Sequence, residues 1–224
     1  IIDDIIIEDQ PAWLQFLQGN HDYLMKVPKD NAQAVFTANH QPSKEMFDRN
    51  IRVLVSQGIE FDYVAFNMDD PIVGGPKNKP LRQAIALAYN SVPVIEKFYL
   101  GLAIKAESPI PPALEGFDAN YKNPTREYNL SKAREILQKS GDATHLPELT
   151  FDTLTNTHSR QLAEYFQRSV AELGLKVKIN GWTWPELLAR IKRKQSQIWP
   201  MNWLYDYADA ENGWQLLYSR NESP

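Results

Sequence analysis

The chain has 224 residues, 43% of them hydrophobic and 23% charged, with a formal net charge of -4. That composition suits an ordinary globular protein, and its mild acidity argues against nucleic acid as a partner. The absence of cysteine excludes disulfides, thiolate metal sites and a cysteine nucleophile, and no run approaches the ~20 apolar residues that span a bilayer.

Residues 1–8 open with a β-branched run, Ile1-Ile2-Asp3-Asp4-Ile5-Ile6-Ile7, which predicts a strand. Pro11 then starts a short helix, with Trp13, Leu14, Phe16 and Leu17 on its apolar side. Short helices are expected near residues 31–36 and 43–49, followed by strands over 51–55 and 61–67 joined by a turn at Gly58. After a loop rich in Gly and Pro (residues 71–80), Leu81, Ile85 and Ala88 share one helical face. Val94, Phe98 and Leu102 predict a second helix after Pro93. Three prolines within Pro109-Ile110-Pro111-Pro112 forbid regular structure there. Asn129 or Ser131 caps the next helix, which carries Ala133, Ile136 and Leu137 and ends at Gly141.

The last third is the most regular. Residues 149–155 read as a strand, and Leu162, Tyr165, Phe166, Val170 and Leu173 repeat at helical spacing up to Gly174. Leu175, Val177 and Ile179 alternate as a strand. A helix over 185–194 and a strand over 198–203 complete a β-α-β-α-β run, so a small parallel sheet with right-handed crossovers is expected. The basic cluster Arg190, Lys192, Arg193 and Lys194 reads as the wet side of that helix.

Ligands of open parallel sheets bind beyond the carboxyl ends of the strands. That rule selects residues 155–157, 182–184 and 203–207. Trp184, Trp203, Tyr205 and Asp206 there combine flat aromatic surface with one carboxylate, which suits a ligand with a cationic end and an extended, partly apolar body. Trp199 and Trp214 read as core. His21-Asp22 and His158-Ser159 read as surface turns, and the histidines at 21, 40, 145 and 158 never show the i, i+4 spacing of a helical metal site. Asp69-Asp70 reads as a turn cap. Asp206, Asp209 and Glu211 form the best carboxylate group for hydrolysis, supported only by their nearness.

Several segments in order carry a family resemblance. Phe66-Asn67-Met68 with Lys79-Pro80-Leu81-Arg82-Gln83-Ala84-Ile85-Ala86-Leu87-Ala88-Tyr89-Asn90 resembles the signature of the family 5 solute-binding proteins, the oligopeptide- and dipeptide-binding group. Tyr128 to Leu137 resembles that family's Y-D-P-x-K-A-x-x-L-L, with Leu130 where proline is usual. Trp203 to Asn212 resembles its W-x-x-D-Y-x-D-P-x-N, with Asn202 for the preceding glycine and Ala210 for the proline. Gly101-Leu102-Ala103 and the proline segment also match, as does Gly19-Asn20-His21-Asp22 for a G-x-I-D turn.

The resemblance implies a two-lobed clamp of the type II periplasmic-binding-protein kind, with a mixed α/β sheet. Such a protein captures peptides for an ABC permease, outside the cytoplasm and in some cases lipid-anchored, as a monomer without cofactor, metal or catalysis. Whole members are roughly twice this long, so the chain is expected to be a piece: residues 1–24 a hinge-proximal strand and helix, residues 25–224 most of the second lobe. The signal peptide, not visible here, would lie outside it. By the same resemblance Asp206 receives the ligand's terminal ammonium, Trp203 lines the cleft and Trp184 sits near it. Oligosaccharides and nickel chelates are alternative cargoes within the family, and a hydrolase using Asp206 and Glu211 is the alternative outside it.

Overall fold

A computed structural model of the chain describes residues 2, 4–28, 31–37, 39–141, 146–218 and 220–221. Its elements run α1 (Asp9–Leu17), α2 (Ala32–Val35), α3 (Lys44–Asp48), β1 (Glu60–Phe66), α4 (Lys79–Ala88), α5 (Ser91–Phe98) and α6 (Leu130–Ser140). Then follow β2 (Glu148–Leu154), α7 (Thr157–Ala171), β3 (Lys176–Trp182), α8 (Trp184–Lys192), β4 (Ile198–Leu204) and α9 (Glu211–Trp214). They gather into two compact units, residues 1–56 with 93–104 and residues 57–92 with 105–224.

In the first unit Trp13, Val35 and Met46 form a small core, with Phe16, Leu17, Ile51 and Val53 packed against it. Two expected strands are not formed among the described residues. Among the described residues of 1–8 none is in a strand, and Ile2, Ile5 and Ile7 are exposed. Residues 51–55 also form no ladder; Ile51 and Val53 turn inward while Leu54 and Val55 face solvent. β-Branched side chains favour an extended backbone, but a strand needs a partner, and neither run finds one among the described residues. Helix α1 starts two residues before Pro11 and leaves Leu14 outward. Leu102 lies beyond the helix it was expected to extend, because Leu100 and Gly101 take positive φ angles that end the turn.

The second unit is built on a mixed sheet ordered β1-β4-β2-β3. β2 runs parallel to both β3 and β4, and β1 pairs antiparallel with β4. The strands of the predicted β-α-β-α-β run therefore share one sheet. Period-two alternation assigns its faces. Leu149, Phe151, Val177 and Ile198 meet Ala163, Phe166 and Val170 of α7, together with Leu81, Ile85 and Ala88 of α4. The opposite face carries Trp199, Leu154, Trp182 and Met201 against Leu187 and Ile191 of α8. Leu162, expected on the buried side of α7, is only partly covered, and Ala163 takes that place.

The helix ends follow local chemistry. Asn129 accepts the Lys132 amide at 2.9 Å to cap α6, and Asn156 accepts the Ser159 amide at 2.9 Å to cap α7. Gly141 closes α6 at φ 81°, a conformation that side chains resist. Leu130 occupies the first turn of α6, the place proline favours, and packs against the main core. Thr183 donates its N–H and hydroxyl to Glu186 at 3.0 and 2.7 Å, opening α8 at Trp184, one residue before the expected start.

Candidate functional site

β2, β3 and β4 all point their carboxyl ends to one edge of the sheet, and antiparallel β1 enters there, with Glu60 opposite Leu204. The segments beyond Leu154, Trp182 and Leu204 thus lie along that edge. The Thr155 amide donates to the Trp182 carbonyl at 3.2 Å, so the ends of β2 and β3 remain joined. Trp184 sits half-exposed beyond β3; β2 separates its strand from β4, a distance of roughly 10 Å at ordinary strand spacing.

The end of β4 and the turn after it hold Trp203, Tyr205 and Asp206. The Tyr205 amide donates to the Ile59 carbonyl at 3.0 Å, extending the β1–β4 ladder past its last strand pair. Tyr205 is placed differently from the expectation that it faces a ligand. It is 3% exposed, and its hydroxyl donates to the Pro109 carbonyl at 2.8 Å. Its ring lies 6.2 Å from Phe61, which in turn lies 5.3 Å from Tyr63. Burial raises the Tyr205 phenol above its ordinary pKa and pushes that of Tyr63 up to about 12. Tyr205 is therefore the base of the turn, and Asp206 and partly covered Trp203 are what the turn presents.

One residue missing from the expected site ties these groups together. Asn212, 2% exposed, accepts the Trp203 indole N–H at 3.0 Å and the Asp206 amide at 3.2 Å through the same Oδ1. Its Nδ2 donates to Asp206 Oδ2 at 3.4 Å. The next residue, Gly213, lies so close to Tyr205 that an added Cβ would stand 2.7 Å from Cζ, and closer still to the hydroxyl. Asn212 closed the W-x-x-D-Y-x-D-P-x-N match, but only the folded turn shows what its amide does.

The two departures from that pattern are accommodated. Asn202 stands opposite Asp62 and donates to Asp62 Oδ1 at 2.9 Å and to Glu60 Oε2 at 3.3 Å, tying β4 to β1. Ala210 has φ -61°, the angle a proline would impose. Asp209 Oδ1 accepts the Glu211 amide at 2.8 Å, which engages it in the turn that starts α9.

The other candidates fall elsewhere. Asp70 Oδ1 accepts the amides of Ile72 and Val73, as a turn cap should, and Asp69 pairs with Lys194 at 2.7 Å. His21 meets Asp4 at 3.0 Å. His145 lies outside the described residues. Trp199 is buried as expected, whereas Trp214 is exposed at the end of the short helix α9. Arg190 departs from the reading of its cluster as a wet helix face: it donates to buried Asp152 at 3.1 Å and stacks 4.2 Å over Trp182. Neighbouring lysines and arginines in sequence do not reveal which one turns inward.

Comparison with known proteins places these features in context. The model of the bacterial extracellular solute-binding proteins, family 5 (middle), matches residues 2–224. The dipeptide-binding protein of Escherichia coli K12 is 27% identical over 176 residues, covering 77% of this chain and 32% of that protein. The peptide transport periplasmic protein SapA of Salmonella typhimurium is 30% identical over 176 residues, covering 77% of this chain and 31% of its own. Among solved structures, the periplasmic binding protein DppA of Helicobacter pylori in complex with the peptide STSA superposes with a TM-score of 0.76 at 27% identity. That superposition covers 93% of this chain and 38% of that one. The chain spans about a third of the length of the curated relatives it matches, less than the half expected.

Proposed function

Because the chain belongs to the family 5 bacterial extracellular solute-binding proteins, we propose that it forms part of a receptor that captures peptides outside the cytoplasm and delivers them to an ABC permease. The single observation that carries this reading is the end of β4 with the turn that follows it. There an exposed carboxylate, Asp206, and a partly covered indole, Trp203, are pinned side by side at the carboxyl edge of the sheet. A terminal ammonium finds an opposite charge there, and the adjoining peptide finds flat apolar surface. Trp184, half-exposed beyond β3, is our candidate for a more distant wall. Our assignment of residues 25–224 to one ligand-binding lobe, with residues 1–24 leading into it, crosses the boundary between the two compact units, since residues 25–56 and 93–104 gather with 1–24.

The relatives support a peptide as cargo, since the two curated ones are named for dipeptide binding and peptide transport and the solved one holds a peptide. In this reading the protein captures and releases its ligand and forms or breaks no bond in it. Native mass spectrometry of the intact protein as purified is the direct test. Bound masses that fragment as peptides support the proposal; an oligosaccharide or metal chelate in their place, or peptides consumed on incubation, overturns it.

A further inference from the structure

We propose that Asn212 is a positioning residue for ligand capture, the buried amide that holds the Asp206 carboxylate and the Trp203 indole as one unit. The inference rests on the reading of Asp206 as the group that receives the ligand's ammonium. One planar amide serves three partners here. Its oxygen accepts both the Trp203 indole N–H (3.0 Å) and the Asp206 main-chain N–H (3.2 Å), and its nitrogen reaches Asp206 Oδ2 (3.4 Å). An ionised carboxylate accepts hydrogen bonds only, so one oxygen of Asp206 is occupied by Asn212 and the other is left for a donor arriving from solvent. Fixing the carboxylate before the ligand arrives removes side-chain freedom that binding would otherwise have to remove.

The surroundings leave Asn212 little room to adjust. The side chain is buried, and its own backbone is fixed by the main-chain N–H of Asn212 donating to the Asp209 carbonyl and by Gly213 pressed against Tyr205. Gln215 Nε2 donates to the Asn212 carbonyl at 2.9 Å, closing the turn from the other side. Aspartate at this position would retain an acceptor for the indole and the amide, but would set a second carboxylate against Asp206. Two carboxylates at such a separation share a proton.

The test uses the intact protein and an equimolar tripeptide library, free and N-acetylated, with retained peptide counted by mass spectrometry. In wild type, free peptides are retained in preference to acetylated ones. Asn212→Ala is expected to lower that preference by roughly ten- to hundredfold. Asn212→Asp is expected to move the pH dependence of free-peptide retention upward toward neutrality relative to wild type, with no such change for acetylated peptides. A purely structural role would move free and acetylated peptides together and produce no such shift with pH. If Asp206→Asn abolishes the preference while both Asn212 variants keep the wild-type preference and pH profile, the positioning role is overturned and the ammonium reading stands. If Asp206→Asn also leaves the preference intact, the ammonium reading fails and this inference with it.

Discussion

Arg190 on α8 lies across the face of the sheet to reach Asp152 on β2, Nε to Oδ2 at 3.1 Å, with its guanidinium 4.2 Å from the centre of the Trp182 ring. Asp152 is 1% exposed and also accepts Ser196 Oγ at 2.6 Å and Asn180 Nδ2 at 2.9 Å. Burial alone would raise its pKa, but the hydrogen bonds from Ser196, Asn180 and Arg190 outweigh that and hold it below the ordinary carboxylate value.

Removing the cation leaves a buried carboxylate without its counter-charge. Arg190→Ala is therefore expected to destabilise the protein by about 3 kcal/mol, read as a lower midpoint in urea unfolding. The depressed Asp152 pKa also sets a pH trend. Its stabilisation is fully present above the unfolded-state value near 3.9 and is lost as pH falls through the lower folded-state value. Asp152→Asn should flatten this acid limb of the stability curve; an unchanged limb would show that Asp152 is not its source.

Gly213 and Tyr205 are in mutual contact, so a methyl group at 213 must displace the phenol or the turn. Gly213→Ala should lower stability by about 1–3 kcal/mol. Tyr205→Phe alone should cost about 1 kcal/mol for the lost bond to the Pro109 carbonyl. The double variant should lose less than the sum, because the phenylalanine ring lacks the oxygen that clashes first. Additive losses in thermal unfolding would refute that coupling.

At Ala210 the backbone already has a proline-compatible φ of -61°. Ala210→Pro is expected to stabilise by about 0.4–1 kcal/mol, mainly by restricting the unfolded chain. A fall in melting temperature would mean that Asp209, which precedes it, cannot adopt the extended backbone that proline requires of its neighbour.

Asp206→Asn keeps the shape of the side chain and removes its charge. For free peptides that bury the ammonium–carboxylate pair on binding to the intact protein, the loss should be about 2–5 kcal/mol, roughly thirtyfold to several thousandfold in affinity. N-acetylated peptides lack the ammonium and should bind weakly throughout. Titration calorimetry with both ligand types separates this outcome from a general loss of the turn, which would weaken both equally.

Much of the second unit was legible because its hydrophobic period changes cleanly between two and 3.6 and its glycines mark the ends. Phe166, Val170 and Ile198 lie in the core that such spacing predicts. The isoleucines of residues 1–8 carry the same local signal without a described partner strand, and the alternation at Ile51 and Val53 packs inward without a ladder. The place of Trp203 and Asp206 at the carboxyl end of β4 could be read from the sequence, because it depends on topology and the hydrophobic pattern reveals topology. Asn212 could not be assigned its task in that way. Its bonds arise from the path of a turn that no periodicity encodes, and its burial within the short helix α9 has no signal in the hydrophobic pattern. Arg190 was hidden for a related reason, since its partner Asp152 lies in a strand three elements earlier.

In the sheet order β1-β4-β2-β3, β4 is the strand that links β1 to the others, and it is the last of the four to be synthesised. Until it emerges, Tyr63, Val64 and Phe66 of β1 have no backbone partner in the sheet, and β2 and β3 can pair only with each other. A chain leaving the ribosome from its amino end thus carries β1 without its sheet partner until β4 has been made, a state prone to intermolecular pairing. Completion of this sheet is therefore a late and long-range event, and it waits on a strand far along the chain from the one it must pair with.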